Sequence, residues 1–158
     1  MKINYLFHNR FKLIGWIVLL PTLILAAFTI TVDWTPDILD LLVPGINFTK
    51  SDAQHEIIQI SKNNLLNEVI GILLIISLLL VAFSKEKLED EYIEKIRLES
   101  LVWAVYFNST ILFLSLLLVY DLNFYWVMVF NLFTTLIFFI IRFNWKLFTL
   151  KKTANNEE

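Results

Sequence analysis

Amides and hydroxyls inside long apolar runs are the side chains of this sequence that are best placed to do chemistry. Asn108 lies in one such run, and Asn131 and Thr135 lie in the next. If the two runs form an antiparallel helix pair that turns near Asp121, Asn108 lies level with Thr135, and Asn131 lies about a turn away from it. Such groups either line a polar path for a solute or form hydrogen bonds between helices. We favour interhelical hydrogen bonds, which are the commoner use of these groups.

Glu68 is the only carboxylate close to a membrane interior, where a proton-coupled exporter would need a titrating acid. It lies one turn from the start of an apolar run, and a carboxylate there can reach the membrane surface at modest cost. Small four-span multidrug exporters place their essential glutamate deep in the first span, but the first apolar run here contains no acid. We therefore interpret Glu68 as a water-exposed residue at the interface.

Charged and apolar residues alternate at helical spacing in the segment 85–99. Lys87 with Glu91, and Glu91 with Lys95, have the spacing of helix-stabilising ion pairs, each worth about 0.2–0.5 kcal/mol. A helix continuous from Leu88 through the third apolar run would project about 20 Å beyond the hydrocarbon. Its mixture of acids and bases suits a protein surface better than an anionic lipid headgroup. The expected contacts with a partner protein are Glu89, Asp90, Glu91, Arg97 and Glu99.

Motifs for catalysis, cofactor binding and metal binding are missing from the sequence. It contains no glycine-rich phosphate loop, no Gly-x-Ser-x-Gly and no His-Glu-x-x-His. Asp33, Asp37 and Asp40 repeat at helical spacing, but a calcium site needs about six or more oxygens, and no such loop pattern is present. There is no cysteine, and a net charge of −2 gives no case for nucleic-acid binding. We expect no enzyme activity, no cofactor, no metal and no nucleic-acid partner.

The composition of the chain requires a membrane. With 58% hydrophobic and 18% charged residues among 158, the excess of apolar surface must face lipid. Three runs contain no charged residue, and a fourth contains only Glu68. Each run is long enough to cross about 30 Å of hydrocarbon as a helix. The predicted spans are residues 13–32, 65–84, 100–120 and 122–141.

The basic residues predict the orientation of these spans. All of the 13 Lys and Arg residues except Lys50 and Lys62 fall on one face of the four-span arrangement. Because short cytoplasmic loops carry the excess of basic residues, that face is predicted to be cytoplasmic. Both termini then lie in the cytoplasm, and the expected location is the bacterial cytoplasmic (inner) membrane. The polar tail at residues 153–158 is predicted to be disordered.

The outer segment, residues 33–64, carries helix signals of its own. A cap, a first-turn proline and an acid at residues 35–37 predict the start of a short helix that Pro44 ends. Ser51 and Gln54 have the spacing of a capping box for a second helix. The sequence therefore predicts a short helical outer segment.

Two segments of the chain also form a recognisable pattern. They are Arg10-Phe11-Lys12-Leu13-Ile14-Gly15-Trp16 and the run from Phe83-Ser84-Lys85-Glu86-Lys87 through Glu89-Asp90-Glu91 to Ile96-Arg97-Leu98-Glu99-Ser100-Leu101. In these the chain resembles a family of small, uncharacterised bacterial membrane proteins with four spans. The resemblance extends over the spans but not over the outer segment. It implies the four-span fold and no particular activity, and family members are often found beside small helix-turn-helix regulators.

The sequence as a whole predicts an all-α polytopic membrane protein in which residues 1–158 form one four-helix membrane domain, with a cytoplasmic extension of the third span. The leading functional hypothesis is a non-enzymatic protein whose cytoplasmic face binds a protein partner and serves in regulation or signalling. The alternative is a small-solute transporter or channel subunit. That alternative requires a homo-oligomer, because four helices enclose little room for a pore. The lipid bilayer is a partner under either hypothesis.

Overall fold

The computed structural model describes residues 6–32, 34–46, 58–87 and 89–156. These residues form four α-helices, a 3-10 helix and two β-strands. The helices are α1 (Asn9–Val32), α2 (Leu66–Ala82), α3 (Glu91–Leu118) and α4 (Leu122–Asn156). The strands are β1 (Asp40–Ile46) and β2 (Ile58–Asn64), and the 3-10 helix, Asp37–Leu39, directly precedes β1.

The described chain divides into two compact units. The first lies within Met1–Ile17 and Ile75–Glu158, and it contains α3, α4, the beginning of α1 and the end of α2. We call it the α3–α4 unit. The second lies within Val18–Leu74 and contains the rest of α1 and α2 together with β1 and β2. We call it the strand unit.

Three helices, α1, α3 and α4, are long and apolar enough to cross a membrane. Many of their large apolar side chains are exposed, which is the arrangement expected when lipid rather than water surrounds them. The prediction of a membrane-embedded, multi-pass protein is therefore confirmed by these three helices. The fourth predicted span corresponds to α2, which is apolar but has only 17 residues, a length of about 25 Å.

A tight turn joins α3 to α4, as the sequence predicts. Asp121 adopts a left-handed backbone conformation with φ of 60°, and its carbonyl accepts the backbone N–H of Phe124 at 3.0 Å. Aspartate tolerates this conformation better than most residues, because its short polar side chain bonds locally. The two helices pack along their length, with the rings of Phe107 and Phe138 stacked at a centroid distance of 4.2 Å.

The predicted extension of the third span is shorter than expected. The expected start, Leu88, lies outside the described residues, but residues 91–99 are helical and continuous with the predicted span. The helix begins at Glu91, because Asp90 is extended and its carboxylate accepts the backbone N–H of Tyr92 at 2.7 Å, which caps the helix. Lys87 therefore lies outside the helix, and α3 has 28 residues, a length of about 42 Å.

The long helix is α4 instead. It has 35 residues, about 52 Å, and continues past the predicted end of the fourth span to Asn156. Residues 153–156, predicted to be disordered, are thus helical. The helix continues because Phe139, Phe143 and Leu147 recur at four-residue spacing, and all three are buried.

Of the helices predicted for the outer segment, the first begins as expected but is only the 3-10 helix Asp37–Leu39, and the described residues after it form strands instead. β1 and β2 pair in antiparallel register, with Leu42 opposite Lys62 and Pro44 opposite Ile60. Ser51 and Gln54, the predicted capping box, lie outside the described residues. The strand signal is the alternation of apolar Ile58 and Ile60 with polar neighbours, a period-two pattern typical of strands.

Candidate functional site

Four segments of the α3–α4 unit meet at one end of it and form the candidate site. The first of these contacts pairs the turn between α2 and α3 with the residues before α1. Phe7 donates its backbone N–H to the carbonyl of Phe83 at 2.9 Å and accepts the backbone N–H of Lys85 at 2.9 Å. Phe7 and Ser84 thereby form a parallel bridge. These bonds fix the start of the turn.

An ion pair between Lys12 of α1 and Glu86 holds the middle of the turn. Both side chains are largely shielded, and the Lys12 ammonium also lies 3.4 Å from the side-chain oxygen of Asn144 on α4. The backbone N–H of Glu86 donates to the carboxylate of Glu89 at 3.0 Å. One lysine therefore connects α1, the turn and α4.

Arg97 closes the turn from α3, and its side chain is buried, with only 6% of the residue exposed. Its Nη1 lies 2.7 Å from Oε1 of Glu89, an ion pair whose angle falls short of hydrogen-bond geometry. A second guanidinium nitrogen donates to the carbonyl of Ser84 at 3.4 Å. The guanidinium carbon lies 5.1 Å from the ring centroid of Phe143, within cation–π range. Arg97 thus joins α3, the turn and α4.

Glu99 of α3 forms a second, more exposed cluster with α4. Its carboxylate lies 3.2 Å from a guanidinium nitrogen of Arg142 and 3.8 Å from the ammonium of Lys146. Arg142 also lies over the ring of Trp103, 4.8 Å from its centroid. One carboxylate is therefore shared by two cations of α4.

An open groove of about 550 Å³ lies between the first turns of α3 and the extension of α4. Apolar, hydroxyl and charged side chains all contribute to its walls. The residues that line it are Tyr92, Lys95, Ile96, Glu99, Lys146, Thr149, Leu150 and Thr153.

The five residues predicted to contact a partner are brought to this one end of the unit, but they serve different purposes. Arg97 is buried, so its prediction as a surface contact is wrong. Glu89 is committed to Arg97, and Glu99 to the cations of α4. Asp90 caps α3 and is exposed, and Glu91 is exposed. Of the five predicted contacts, Asp90 and Glu91 are thus the two that are exposed beside the turn and form no ion pair with another described residue.

The predicted intramembrane polar residues do meet between α3 and α4. The side-chain amides of Asn108 and Asn131 each donate to the other's oxygen, at 3.2 and 3.0 Å. Asn108 was expected level with Thr135, a half-buried residue one turn further along α4, so the observed register differs from the prediction by about a turn. The pair has the geometry of the interhelical hydrogen bonding that we favoured over a polar path.

The predicted acids of the strand unit lie outside this site. Glu68 is exposed in the first turn of α2 and accepts a hydrogen bond from the amide of Asn63 at 3.3 Å. Asp40 accepts the amide of Asn64 at 2.8 Å and pairs with Lys62 at 3.1 Å. The hydrogen bond from Asn64, assisted by Lys62, holds the pKa of Asp40 below its ordinary value of 3.8. Asp33 and His55 lie outside the described residues.

Sequence reasoning missed Lys12, Glu86, Arg142 and Lys146 as members of the site. The pairing of Glu99 with Arg142 had a signal in the sequence. Glu99 lies 121 − 99 = 22 residues before Asp121 of the turn, and Arg142 lies 142 − 121 = 21 residues after it. Opposite charges at equal distances from a helical hairpin turn are expected to meet. The pairing of Lys12 with Glu86 had no such signal, since a long segment of unknown geometry separates α1 from α2.

No family model matches the chain, and the comparisons with curated proteins and with solved structures likewise find no similar protein. The site is therefore interpreted from its own residues.

Proposed function

We propose that the chain is a non-enzymatic membrane protein that binds a cytoplasmic protein partner through the surface beside the α2–α3 turn. This turn surface consists of Lys87, Asp90 and Glu91, all of which are exposed. Binding there serves a regulatory or adaptor function at the inner membrane of a bacterium.

The observation that carries the proposal is that ion pairs hold the turn although its described residues, 83–87 and 89–90, form no helix or strand. Two largely shielded ion pairs, Lys12 with Glu86 and Arg97 with Glu89, fix it to α1 and α3. Shielding charges from water costs free energy, and well-packed apolar residues would stabilise such a position at least as well. A surface fixed in this way loses little conformational entropy on binding, which favours recognition of a partner.

The proposal includes four spans, with both termini in the cytoplasm. The contacts of Phe7 and Lys12 with the α2–α3 turn support it, because they bring the start of α1 and the end of α2 to one place. Two successive spans whose ends meet in this way run through the membrane in opposite directions. The 17 residues of α2, about 25 Å, suffice for a span when interfacial residues extend it. The basic residues assign this end to the cytoplasm.

The proposal is tested by removing the charges of the two exposed acids, Asp90 and Glu91, without disturbing the turn. In the Asp90→Asn and Glu91→Gln double variant, asparagine still caps α3 and the ion pairs stay intact. We expect recovery of the partner to fall about five- to tenfold, because two charged contacts of the interface are lost. The measurement is crosslinking in the native membrane, affinity purification of the tagged full chain and quantitative mass spectrometry.

The matched control is the Glu68→Gln and Asp121→Asn double variant. It makes the same change in net charge at two exposed acids outside the site, and asparagine tolerates the left-handed backbone at position 121. Equal recovery of every partner from wild type and from the turn variant would refute the proposal. Recovery of only further copies of the chain would favour the oligomeric transporter, for which the mutually bonded Asn108 and Asn131 give no specific support.

A further inference from the structure

The groove between α3 and α4 carries an unbalanced positive charge. Two ammonium groups, Lys95 and Lys146, line it, against the single carboxylate of Glu99. That carboxylate is shared by Arg142, which is the nearer cation at 3.2 Å, and Lys146 at 3.8 Å. Glu99 is therefore already neutralised, and the charge that remains suits an anion.

The lysines are the groups in the groove that are available to hold such an anion. The hydroxyls of Thr149 and Thr153 already donate to backbone carbonyls of α4, at 3.0 and 3.1 Å. Lys95 is exposed and forms no ion pair among the residues that the structure describes. An oxyanion between Lys95 and Lys146 would receive charge-assisted hydrogen bonds from two sides.

The groove lies at the depth of the lipid headgroups. Trp126 and Trp145 of α4 are 53% and 71% exposed, and they are 145 − 126 = 19 residues, about 28 Å, apart along the helix. That separation matches the hydrocarbon thickness of about 30 Å, and tryptophan prefers the two interfaces. Lys146 follows Trp145 directly, and Thr149 lies about 6 Å further along the axis. The groove therefore begins where the acyl chains end.

The apolar part of the groove wall agrees with a lipid as the occupant. Ile96 is buried and Leu150 is half-buried, and both contribute to the wall beside the lysines. A phospholipid presents an acyl-glycerol portion and a phosphate within a few ångströms of each other at this depth. A soluble anion would use only the lysines and would gain nothing from this apolar surface.

We propose that this groove binds the headgroup of an anionic phospholipid from the adjacent leaflet, with Lys95 and Lys146 as the contacts of its phosphate. The site goes beyond the proposed partner binding and uses a different set of residues from the turn surface. It gives the protein a preference for membranes, or regions of membrane, that are rich in anionic lipid.

The test is native mass spectrometry of the full chain in detergent, titrated with phosphatidylglycerol or with phosphatidylcholine of the same acyl chains. We expect phosphatidylglycerol to bind in preference to phosphatidylcholine. The Lys95→Gln and Lys146→Gln double variant is expected to weaken phosphatidylglycerol binding about tenfold or more, since each lysine contributes about 1 kcal/mol of attraction to an anionic headgroup. The Lys95→Arg and Lys146→Arg double variant should bind as wild type does.

Arg10→Gln with Lys152→Gln is the matched control, because it removes two exposed cations outside the groove lining. Lys95→Gln alone is the second variant should the double variant fail to fold by circular dichroism. Binding equally weakened in the control would mean a general charge effect and would overturn the site. Unchanged binding in Lys95→Gln and in the double variant would also overturn the site. Equal binding of phosphatidylcholine, or displacement of the lipid by millimolar inorganic phosphate, would do the same.

Discussion

Arg97 is the residue whose environment differs most from what its charge would lead one to expect. A guanidinium with five donors is costly to shield from water, and here it is offset by Glu89, the carbonyl of Ser84 and the ring of Phe143. Its Nε and the hydroxyl of the adjacent buried Ser100 have no hydrogen-bond partner among the described residues. The charge of Arg97 therefore depends on these three contacts for its compensation.

Removing one member of this pair is expected to destabilise the protein strongly. Arg97→Met leaves Glu89 partly buried and unpaired, which should cost about 2–4 kcal/mol in the free energy of unfolding. Glu89→Gln keeps the shape of the side chain and should cost less. In the double variant the two losses should not add, because they remove the same interaction. The measurement is reversible unfolding in mixed micelles as the fraction of sodium dodecyl sulfate rises.

Arg142→Met serves as the comparison for that experiment. Its partner Glu99 is about half-exposed and keeps Lys146, so the loss should be only about 1 kcal/mol, including the contact with Trp103. Equal losses for Arg97→Met and Arg142→Met would show that burial of Arg97 does not make its ion pair important.

At the scale of the elements, the charge-free runs predict the helices well and the intervening segments poorly. An uninterrupted apolar run has one stable solution in lipid, a helix that satisfies its own backbone hydrogen bonds. The need to satisfy backbone hydrogen bonds in lipid therefore predicts helices at the positions of α1, α3 and α4. A capping residue or an alternating strand pattern contributes far less free energy, so tertiary contacts decide between competing local signals, as Asp90 shows at the start of α3.

The strand pair shows the same competition. Ile58 and Ile60 fit either one face of a helix or one face of a strand. The strand is formed because β1 and β2 pair in a register that places Asp40 opposite Asn64. The Asn64 side chain also donates to the carbonyl of Pro36 at 2.9 Å and accepts the backbone N–H of Leu66 at 3.1 Å. The contacts of Asn64 with Pro36 and Asp40 join residues far apart in the sequence, so no local pattern could reveal them.

The strand pair is expected to loosen in acid. The pKa of Asp40 is held below 3.8 by the hydrogen bond from Asn64 and by Lys62. A carboxyl whose pKa is lowered by folding stabilises the folded form above its ordinary pKa, and this contribution is lost as pH falls below 3.8 through the folded value. Hydrogen exchange of the β1 and β2 amides, corrected for intrinsic rates, should show weaker protection at about pH 2.5 than at about pH 5.

Asp40→Asn provides the control for this pH dependence. The variant has no carboxyl to titrate at this position, so its corrected protection should vary much less over the same range. A wild-type strand pair with constant protection through that range would contradict the assigned role of Asp40.

At the scale of the whole molecule, the basic residues and the contacts of the α3–α4 unit lead to the same arrangement. Lys12 of α1, Arg97 of α3 and the neighbouring cations Arg142 and Lys146 of α4 all take part in ion pairs at one end of that unit. The positive-inside rule needs no structure to group them. Apart from the pairing of Arg142 with Glu99, the sequence could not reveal their partners, because those depend on which helices pack together.

The proposed four-span topology is open to direct test, because the chain has no cysteine. Single-cysteine variants Lys62→Cys, Lys87→Cys and Lys152→Cys are treated with a maleimide that cannot cross membranes. Four spans predict that Lys62→Cys is labelled in intact cells and that the other two are labelled only after permeabilisation. If α2 does not cross, all three positions lie on one side and become labelled together.

The reciprocal amide pair between α3 and α4 also bears on how the chain is made. A helix that carries one asparagine into hydrocarbon must leave that amide without a partner, at a cost that the second asparagine removes. Asn108 finds its partner in Asn131, and the turn at Asp121 is short enough for α4 to emerge directly after α3. We therefore expect α3 and α4 to enter the bilayer together during synthesis, as one helical hairpin.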